Sequence, residues 1–456
     1  GIAAAIGVLT QRFGERVSTS PSLCEQHGHT LTWIPNQPPD AVFFARSEAE
    51  VQEAMRTCAA HRCPVVPFGA GTSLEGHLNA PHGGISIDVS AMDAIVAVHP
   101  EDLDVVVQPG IRRKALNEQL RDTGLFFPID PGADATLGGM AATRASGTNA
   151  VRYGTMKDNV LALRAVTASG EIVTTSRRAK KSSTGYDLTR LMVGSEGTLG
   201  IITELTIRLA GIPEAIAGGI CPFPDIHSAA DAVILTIQTG LPVARIEILD
   251  EMQVRACNAY SKLTLPETPL LLVEFHGTEA SVAEQSERFG EIAADLGGGP
   301  FTWTTKAEER TKLWTARHDA YWAGLAMRPG SQTFSTDVCV PISRLADCIA
   351  DTKDDIRASG ITATIVGHVG DGNFHVLPLF DPANAREVGE VKAFVGRLVD
   401  RALAMEGSAS GEHGVGQGKM KYLEAEHGRA ALDMMAAIKR ALDPDDLLNP
   451  GKIVAL

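Results

Sequence analysis

The chain has 456 residues, of which 44% are hydrophobic and 45 are glycine, and its formal net charge is −14. This composition indicates a globular protein of about three domain-sized units and excludes disordered and fibrous classes. The acidic balance argues against a general nucleic-acid or anionic-membrane surface, and no apolar run reaches the roughly 18 residues of a membrane span. The seven cysteines form no CxxC pair, which is typical of reduced thiols in a cytosol-like compartment.

The amino terminus carries no recognisable motif. It begins at Gly1 without an initiator methionine and lacks the basic stretch of a secretory leader. We interpret Gly1 as a trimmed end, so a removed targeting segment would be invisible. The expected location is the cytoplasm or, as a peripheral protein, the inner membrane, and the mitochondrion if the source is eukaryotic.

Short helix and strand signals alternate in the first part of the chain. Ser47 followed by Glu50 is the capping-box start of a helix, because each side chain can bond a backbone N–H near the other. Short apolar runs at 64–68, 83–88 and 104–109 predict strands bounded by glycine and proline. These signals place one helix among several short strands.

Two regions are rich in glycine. The first, Gly69-Ala-Gly71-Thr-Ser73, follows the strand predicted at 64–68, and the second covers 131–154. Glycine lets backbone N–H groups approach an anion closely, so two such regions suggest a ligand with both a pyrophosphate and a flat ring. A nicotinamide cofactor is not favoured, because Leu74 occupies the place of the third glycine of the dinucleotide fingerprint.

The second half of the chain begins at a boundary predicted at Pro213. Beyond it lie longer helical segments and β-rich runs, of which 270–275 is one. Near the carboxyl end, a helix is predicted over 430–442, and Asp443-Pro444 ends it.

The most informative stretch is a predicted hairpin at 364–378. Two short apolar runs flank Asp371-Gly372, and Asp-Gly favours a two-residue turn because type I′ geometry needs positive φ at both positions. With that turn, His368 lies directly opposite His375. Opposed residues share a face with their Cβ atoms about 4.5–5.5 Å apart, which suits two imidazoles that bind one ion.

Glu412 and His413 lie in a glycine-rich loop downstream of this hairpin. Two histidines and one glutamate form the ligand set of a catalytic site, since three protein ligands leave a position open for substrate. The sequence therefore predicts a metal at His368, His375 and Glu412. The alternatives are two strand histidines bonded to backbone, a metallohydrolase, and a non-enzymatic metal or nucleotide sensor.

Several motifs in the first half occur together, and their combination is more specific than any one of them: Pro67-Phe-Gly69-Ala70-Gly71-Thr72, Pro131-Gly132-Ala-Asp134, Gly138-Gly139 and Gly194-Ser-Glu196-Gly197. On these motifs the chain resembles the FAD-dependent D-2-hydroxyacid dehydrogenases of the vanillyl-alcohol-oxidase/PCMH type, and within them the cytochrome-linked D-lactate dehydrogenases. The resemblance implies an α+β fold with four parts: an N-terminal segment (1–38), a PCMH-type FAD-binding domain of two α+β subdomains (39–212), a ferredoxin-like substrate-capping domain (213–405) and a C-terminal helical segment that returns to the flavin (406–456).

The resemblance implies FAD as the cofactor. The residues that it assigns to FAD are Pro67, Gly69, Ala70, Gly71, Thr72, Ser73, Pro131, Gly132, Asp134, Gly138, Gly139, Ser146, Asn149, Gly154, Glu196, Gly200, Ile202 and Asn449. Relatives that attach FAD covalently carry a histidine just after the Gly-x-Gly loop. This chain has Thr72 there, so non-covalent FAD is expected.

The resemblance also assigns the catalytic centre. His368, His375 and Glu412 match the metal motif of these enzymes, and imidazole with carboxylate suits Zn²⁺ or Mn²⁺. His413 matches the residue for proton abstraction or substrate orientation. The implied reaction is oxidation of a D-2-hydroxyacid with hydride transfer to flavin N5.

A further set of side chains recurs at helical spacing: Trp314, Arg317, His318 and Tyr321. By itself this stripe predicts a partly buried helix with the arginine at its rim. In the resembling enzymes the matching arginine pairs with the substrate carboxylate, for which its planar fork is suited. Arg317, with Trp314 and Tyr321, is therefore expected at the substrate.

The substrate expected is a short D-2-hydroxymonocarboxylate, D-lactate above all. Relatives that oxidise D-2-hydroxyglutarate place a lysine in the segment that matches 335–338, whereas this chain has no lysine between Lys312 and Lys353. A glycolate-oxidase-like subunit and a D-2-hydroxyglutarate dehydrogenase are the alternatives. Without a CxxCH haem motif, electrons are expected to leave to a separate cytochrome, quinone or electron-transfer flavoprotein. No nucleic-acid partner is expected, and a homodimer is one oligomeric state considered.

Overall fold

The structure is a computed structural model that describes residues 1–456, and the chain divides into two compact units. Unit 1 comprises Gly1–Ser146, Gly154–Ile212 and Glu412–Leu456, and unit 2 comprises Gly147–Tyr153 and Pro213–Gly411. Each unit is therefore assembled from segments that are far apart in the sequence.

Unit 1 is built on three sheets. Its strands are β1 (Val17–Ser18), β2 (Ala41–Phe44), β3 (Val65–Phe68), β4 (Ile85–Asp88), β5 (Ile95–His99), β6 (Asp104–Val107), β7 (Leu125–Phe126), β8 (Val160–Val166), β9 (Ile172–Thr174), β10 (Ile201–Arg208) and β11 (Ala210–Gly211). The first sheet has the order β1-β2-β4-β3, with β2, β4 and β3 parallel. The second, β5-β6-β10-β8-β9, is antiparallel, and β7 pairs with β11.

Unit 2 is built on one eight-stranded antiparallel sheet. Its strands are β12 (Ala215–Pro222), β13 (Val243–Leu249), β14 (Leu270–Gly277), β15 (Thr302–Thr304), β16 (Gln332–Thr333), β17 (Val338–Cys339), β18 (Thr362–Gly367) and β19 (Asn373–Phe380). The order is β15-β12-β14-β13-β18-β19-β16, and β17 pairs with β19 beside it.

The helices surround these sheets. They are α1 (Ile2–Phe13), α2 (Pro21–Gly28), α3 (Glu48–His61), α4 (Arg113–Leu120), α5 (Leu137–Thr143), α6 (Ala150–Tyr153), α7 (Met156–Asn159), α8 (Leu188–Met192), α9 (Ile226–Gln238), α10 (Glu251–Ser261), α11 (Glu279–Asp295), α12 (Ala307–His318), α13 (Ala320–Ala326), α14 (Leu345–Ser359), α15 (Ala385–Ala404), α16 (Leu423–His427) and α17 (Arg429–Leu442). Unit 2 contains α6 and α9 to α15. None of the helices has the length and hydropathy that crossing a membrane requires.

The start of α3 shows how sequence determines local structure here. Ser47 caps the helix, and its Oγ accepts the Glu50 backbone N–H at 3.3 Å, as the capping pattern predicts. Val51, Met55 and Cys58 recur at helical spacing and are buried in the core of the first sheet. The helix predicted at 430–442 is also confirmed, as α17.

The predicted hairpin at 364–378 is present, but its predicted turn and register are wrong. β18 and β19 pair antiparallel, and the partner of His375 is Val366 rather than His368. The connection is longer than two residues and contains a 3-10 turn at Val369–Asp371. The type I′ turn requires positive φ at both of its central residues, but only Gly372 has one, +81°, because Asp371 belongs to the 3-10 turn.

Candidate active site

The glycine-rich regions of unit 1 meet at the end of β3. A side chain at Gly69 would overlap Thr136 Oγ1, so only glycine permits the loop after β3 to approach the start of α5. The backbone N–H of Glu196 donates to Ala142 O at the end of α5, at 2.9 Å. Three regions that are separate in sequence therefore form one surface.

The residues assigned to FAD occupy six places in unit 1 and one in unit 2. In unit 1 they are Pro67 in β3 with the loop Gly69, Ala70, Gly71, Thr72 and Ser73; Pro131, Gly132 and Asp134 before α5; Gly138 and Gly139 within it; Ser146 and Gly154 after it; Glu196, Gly200 and Ile202 at the start of β10; and Asn449 near the C-terminus. Asn149 belongs to unit 2, where its Oδ1 accepts from Arg245 Nε at 2.7 Å.

Three hydroxyl groups in this part of unit 1 are buried without a hydrogen-bond partner: Ser73 Oγ, Thr136 Oγ1 and Ser195 Oγ. Buried polar atoms are normally bonded, and one left unsatisfied costs about 1–3 kcal/mol. Hydroxyls beside glycine-rich loops are suited to the phosphates and polar edges of a dinucleotide. The residues present therefore fit FAD.

The C-terminal segment is bonded to the loop that follows β3. Asn449 Nδ2 donates to His77 O at 3.1 Å and to Glu196 O at 2.8 Å. Lys452 Nζ donates to Asn79 O at 2.6 Å and to Asn449 Oδ1 at 3.0 Å. Burial lowers the pKa of Lys452 to about 7, although the negative charge of Glu196 opposes that shift. Sequence reasoning assigned no role to His77 or Lys452.

One face of the unit 2 sheet is charged and buried. Arg245 and Glu247 alternate with apolar residues along β13, and Glu274 and His276 do so along β14. The two glutamates and His276 are less than 5% exposed. This pattern was visible in the sequence as charged residues at every second position of otherwise apolar strands, but its burial was not predicted.

Glu247 joins the predicted substrate arginine to a predicted metal ligand. Its Oε2 accepts from Arg317 Nε at 2.6 Å, and its Oε1 accepts from His368 Nδ1 at 2.7 Å. Burial disfavours the charged form of Glu247, but the opposite charges and hydrogen bonds of His368 and Arg317 prevail and lower its pKa. Both side chains are thereby oriented by one buried carboxylate.

His375 is oriented by backbone. Its Nδ1 lies 2.9 Å from Thr336 O, which can only accept, so Nδ1 carries a hydrogen, and in the neutral imidazole the lone pair is on Nε2. His368 Nδ1 donates to the Glu247 carboxylate, and His368 Nε2 lies 3.5 Å from Arg317 Nη2. The two rings are 5.4 Å apart. In metal-binding histidines, the ring nitrogen that does not bind the metal characteristically donates its N–H to a nearby acceptor, and this hydrogen bond fixes the tautomer.

Asp337 is a further candidate ligand that sequence reasoning missed. It is 1% exposed and, with His375, belongs to a group of side chains that could hold a metal ion. Its Oδ1 accepts from Asn373 Nδ2 at 2.8 Å, and its Oδ2 accepts from Ser410 Oγ at 3.1 Å. The Gly411 N–H donates to Asp337 O at 2.9 Å. The signal in the sequence was a lone acidic residue before a short apolar run.

Glu412 and His413 follow directly and begin the last segment of unit 1. Both side chains are mostly buried, and His413 Nε2 lies 3.8 Å from Glu412 Oε1. The predicted ligand set of His368, His375 and Glu412 stays a prediction. The donor chemistry of these residues fits Zn²⁺ or Mn²⁺.

The predicted helical stripe is divided between two helices. Trp314 and Arg317 lie on α12, and Tyr321 lies on α13, because α12 ends before Asp319. The Asp319 side chain accepts from Ser261 Oγ at 2.5 Å. The spacing predicted one helix, and this prediction was wrong. The structure has two helices on either side of Asp319, whose side chain is bonded to Ser261.

Trp314 lies against the charged face of the sheet. The Arg245 guanidinium lies 5.0 Å from the centre of the Trp314 ring, a cation–π contact. Tyr153 Oη is 2.7 Å from His276 Nδ1, and His276 Nε2 is 2.8 Å from Glu274 Oε1. These contacts give the charged side chains of this face partners within unit 2.

Comparison with known proteins identifies the family. Residues 212–453 match the family "FAD linked oxidases, C-terminal domain", and residues 39–176 match "FAD binding domain". The chain belongs to the FAD-linked oxidases. Within this family it is 50% identical to the probable mitochondrial D-lactate dehydrogenase of Danio rerio, over 97% of this chain and 90% of that protein. It is 49% identical to the mitochondrial D-lactate dehydrogenase [cytochrome] of Arabidopsis thaliana, over 91% and 73%.

A solved structure with the same fold supports the predicted architecture of this FAD-linked oxidase. The 4-ethylphenol oxidase of Gulosibacter chungangensis superposes with a TM-score of 0.79 at 18% identity, covering 99% of this chain and 97% of that one. At that identity the likeness concerns the fold alone. The predicted α+β fold of PCMH type is confirmed, as is FAD as the cofactor of the family.

Proposed function

We propose that this FAD-linked oxidase oxidises D-lactate to pyruvate. The observation that carries the proposal is the group formed by Arg317, Glu247 and His368, in which one buried carboxylate is bonded both to the guanidinium that we propose for the substrate carboxylate and to an imidazole that we propose for the metal. A 2-hydroxyacid presents a carboxylate next to the hydroxyl that reacts. The two groups can therefore bind adjacent parts of one small substrate.

FAD and a divalent ion would be held by different parts of the chain. Bound FAD supplies the two-electron acceptor that the oxidation requires, because no protein side chain can take two electrons. A divalent ion at His368, His375 and Glu412 supplies a positive charge that lowers the pKa of the substrate hydroxyl. Asp337 supports this region through its bonds to Asn373 and Ser410.

The protein's own groups bind and deprotonate the substrate. Arg317 presents two N–H groups in a fixed fork to the substrate carboxylate, while Glu247 holds its Nε. His413 removes the hydroxyl proton as general base. Trp314 and Tyr321 supply apolar surface that excludes water from the reacting atoms.

The segment 334–338 supports a monocarboxylate as the substrate. Phe334 is 4% exposed and packs on Phe380, with ring centres 4.9 Å apart. Asp337 is the charged residue of this segment, and its charge would repel a second substrate carboxylate. Burying a carboxylate without a partner costs several kcal/mol. D-Lactate avoids that cost, whereas D-2-hydroxyglutarate does not.

The proposed substrate predicts an order of rates in anaerobic flavin bleaching. D-Lactate should reduce the flavin fastest, D-2-hydroxybutyrate should follow, and L-lactate, glycolate and D-2-hydroxyglutarate should be slow. Stopped-flow absorbance with each acid in turn measures these rates. Faster bleaching by D-2-hydroxyglutarate or by glycolate than by D-lactate would make that acid the substrate instead. Faster bleaching by L-lactate would contradict the proposed preference for D isomers.

Non-covalent FAD gives a second prediction. The purified protein should carry one FAD per chain, and acid or heat should release it without proteolysis, because Thr72 cannot form the histidyl link of covalent relatives. The measurement is the flavin absorbance of supernatant and pellet after precipitation. Flavin that stays in the washed pellet would contradict non-covalent binding.

The electron acceptor and compartment are proposed by analogy with the relatives. The Arabidopsis thaliana relative is named a mitochondrial D-lactate dehydrogenase [cytochrome]. We propose a cytochrome as the acceptor for this chain too, with the mitochondrion as the compartment if the source is eukaryotic.

A further inference from the structure

The Glu196 carboxylate has an unexpected pair of partners. Its Oε1 accepts the Val415 backbone N–H at 2.6 Å, and its Oε2 accepts the Gly416 N–H at 2.8 Å. These residues follow closely after His413 in the chain, and all of them belong to unit 1. The resemblance assigned Glu196 to the flavin, but its carboxylate is bonded to the loop that begins with the proposed base.

His77 is a further partner of the Glu196 carboxylate. Its Nε2 lies 3.2 Å from Glu196 Oε2, and both side chains are at least 95% buried. Burial disfavours the Glu196 carboxylate, yet His77 and the two backbone N–H groups lower its pKa, so it is charged at neutral pH. A charged carboxylate that accepts backbone N–H groups forms stronger bonds than a neutral acceptor.

Gly414 shows how closely the loop fits this pair. Its φ is +79°, and a Cβ there would come 2.6 Å from Glu196 Oε1 and 2.8 Å from His77 Nε2. A side chain is therefore excluded both by backbone conformation and by the carboxylate. The residue immediately before Gly414 is His413, so the first backbone hydrogen bond to Glu196, from Val415, lies two residues after the base.

The far side of the loop is bonded as well. Glu75 O accepts the N–H groups of Gln417 at 2.8 Å and Gly418 at 3.1 Å. Asn79 Nδ2 donates to Gln417 Oε1 at 2.8 Å. Glu75, His77 and Asn79 all belong to the segment that follows the glycine-rich loop after β3. That segment and Glu196 together hold residues 414–418 from both ends.

We propose that Glu196 and His77 are positioning residues that hold the loop 414–416 and thereby fix His413 for proton removal. The inference rests on the proposed function of His413 as general base. It gives Glu196 a role in the proton-transfer step that is separate from any contact with FAD. A displacement of the base by about 1 Å is enough to slow such a step about 10²-fold.

Glu196→Gln tests this role with little change of shape. The amide has one acceptor oxygen, so its NH₂ must face a backbone N–H of Val415 or Gly416. Hydrogen–deuterium exchange of a peptide that covers 413–418 should become faster. Flavin reduction by D-lactate at saturating substrate should slow by about 10–100-fold, as when outer-shell partners are removed, while FAD content and the D-lactate dissociation constant change little.

Two further variants keep the test decisive. Glu196→Asp retains both acceptor oxygens and should recover part of the rate. If Glu196→Gln does not fold, His77→Gln replaces the other member of the pair and should give the same faster exchange. Glu204→Gln, the same substitution on neighbouring β10, is the matched control and should leave exchange of 413–418 unchanged.

The outcomes separate this inference from the proposed function. Unchanged exchange at 413–418 with a parental rate of flavin reduction in Glu196→Gln would overturn the positioning role. Loss of FAD with unchanged exchange would also overturn it and make Glu196 a flavin ligand. If D-lactate fails to reduce the parent protein, the proposed function fails, whereas the exchange measurement still reports whether Glu196 holds the loop.

Discussion

Replacing His413 with alanine should slow reduction of the flavin by D-lactate by about 10²–10⁴-fold, the contribution of a general base that acts in the transition state. The D-lactate dissociation constant should change much less, because the residue that we propose for binding the carboxylate is Arg317 rather than His413. Single-turnover stopped-flow absorbance under anaerobic conditions measures both quantities. Steady-state rates alone would not suffice, since reoxidation by the acceptor can limit turnover.

His427→Ala is the matched control for this experiment. His427 also lies in the last segment of unit 1, but it is 43% exposed in its side chain and pairs at 3.8 Å with Glu426. In the His427→Ala variant, D-lactate should reduce the flavin at the parental rate. If His413→Ala also does, then His413 is a structural neighbour of Glu412 and another group removes the proton.

Removing the divalent ion that we propose at His368, His375 and Glu412 should abolish turnover while FAD remains bound. Two routes lead to this state: chelation of the parent protein, and His375→Ala, which deletes an imidazole whose Nδ1 is fixed by Thr336 O. Without the ion the substrate hydroxyl keeps its high pKa, so its deprotonation becomes rate-limiting. Elemental analysis, flavin absorbance and turnover with D-lactate should be measured on the same samples.

The control substitution in unit 2 is His227→Ala. His227 lies on α9, its side chain is 49% exposed, and its Nδ1 pairs with Asp231 at 3.0 Å. Metal content and turnover should be unaffected. Full activity in a chelated parent that elemental analysis finds metal-free would refute the role of the ion, and Zn²⁺ or Mn²⁺ restored to that sample should otherwise recover turnover.

The hairpin shows which part of a site a local pattern can predict. The apolar runs around Asp371-Gly372 were enough to predict two paired strands, and β18 and β19 are those strands. The predicted register was wrong, because the connection is a 3-10 turn at Val369–Asp371 followed by Gly372 at positive φ, and not the two-residue turn that Asp-Gly favours. His368 still lies near His375, with ring centres 5.4 Å apart, although a loop rather than a rung of the hairpin places it there.

The charged face of unit 2 shows a second limit. Arg245 and Glu247 were readable as the polar side of a strand, and such a side normally faces water. Their partners come from distant segments: α12 brings Arg317 to Glu247 and Trp314 to Arg245, and Asn149, just before α6, bonds to Arg245. A helix packed on a sheet is a contact between segments far apart in sequence, so no local spacing reports it.

The sequence by itself determined the glycine-rich loops, the cap of α3, the pair of strands at 364–378 and the identities of the ionisable residues, because each depends on neighbouring residues and their backbone preferences. Tertiary structure decided the partners of those residues. The Glu196 carboxylate binds the loop after His413, and Glu247 joins Arg317 to His368. Such contacts join segments that are distant in sequence. The packing of whole sheets and helices against each other decides which of these segments meet.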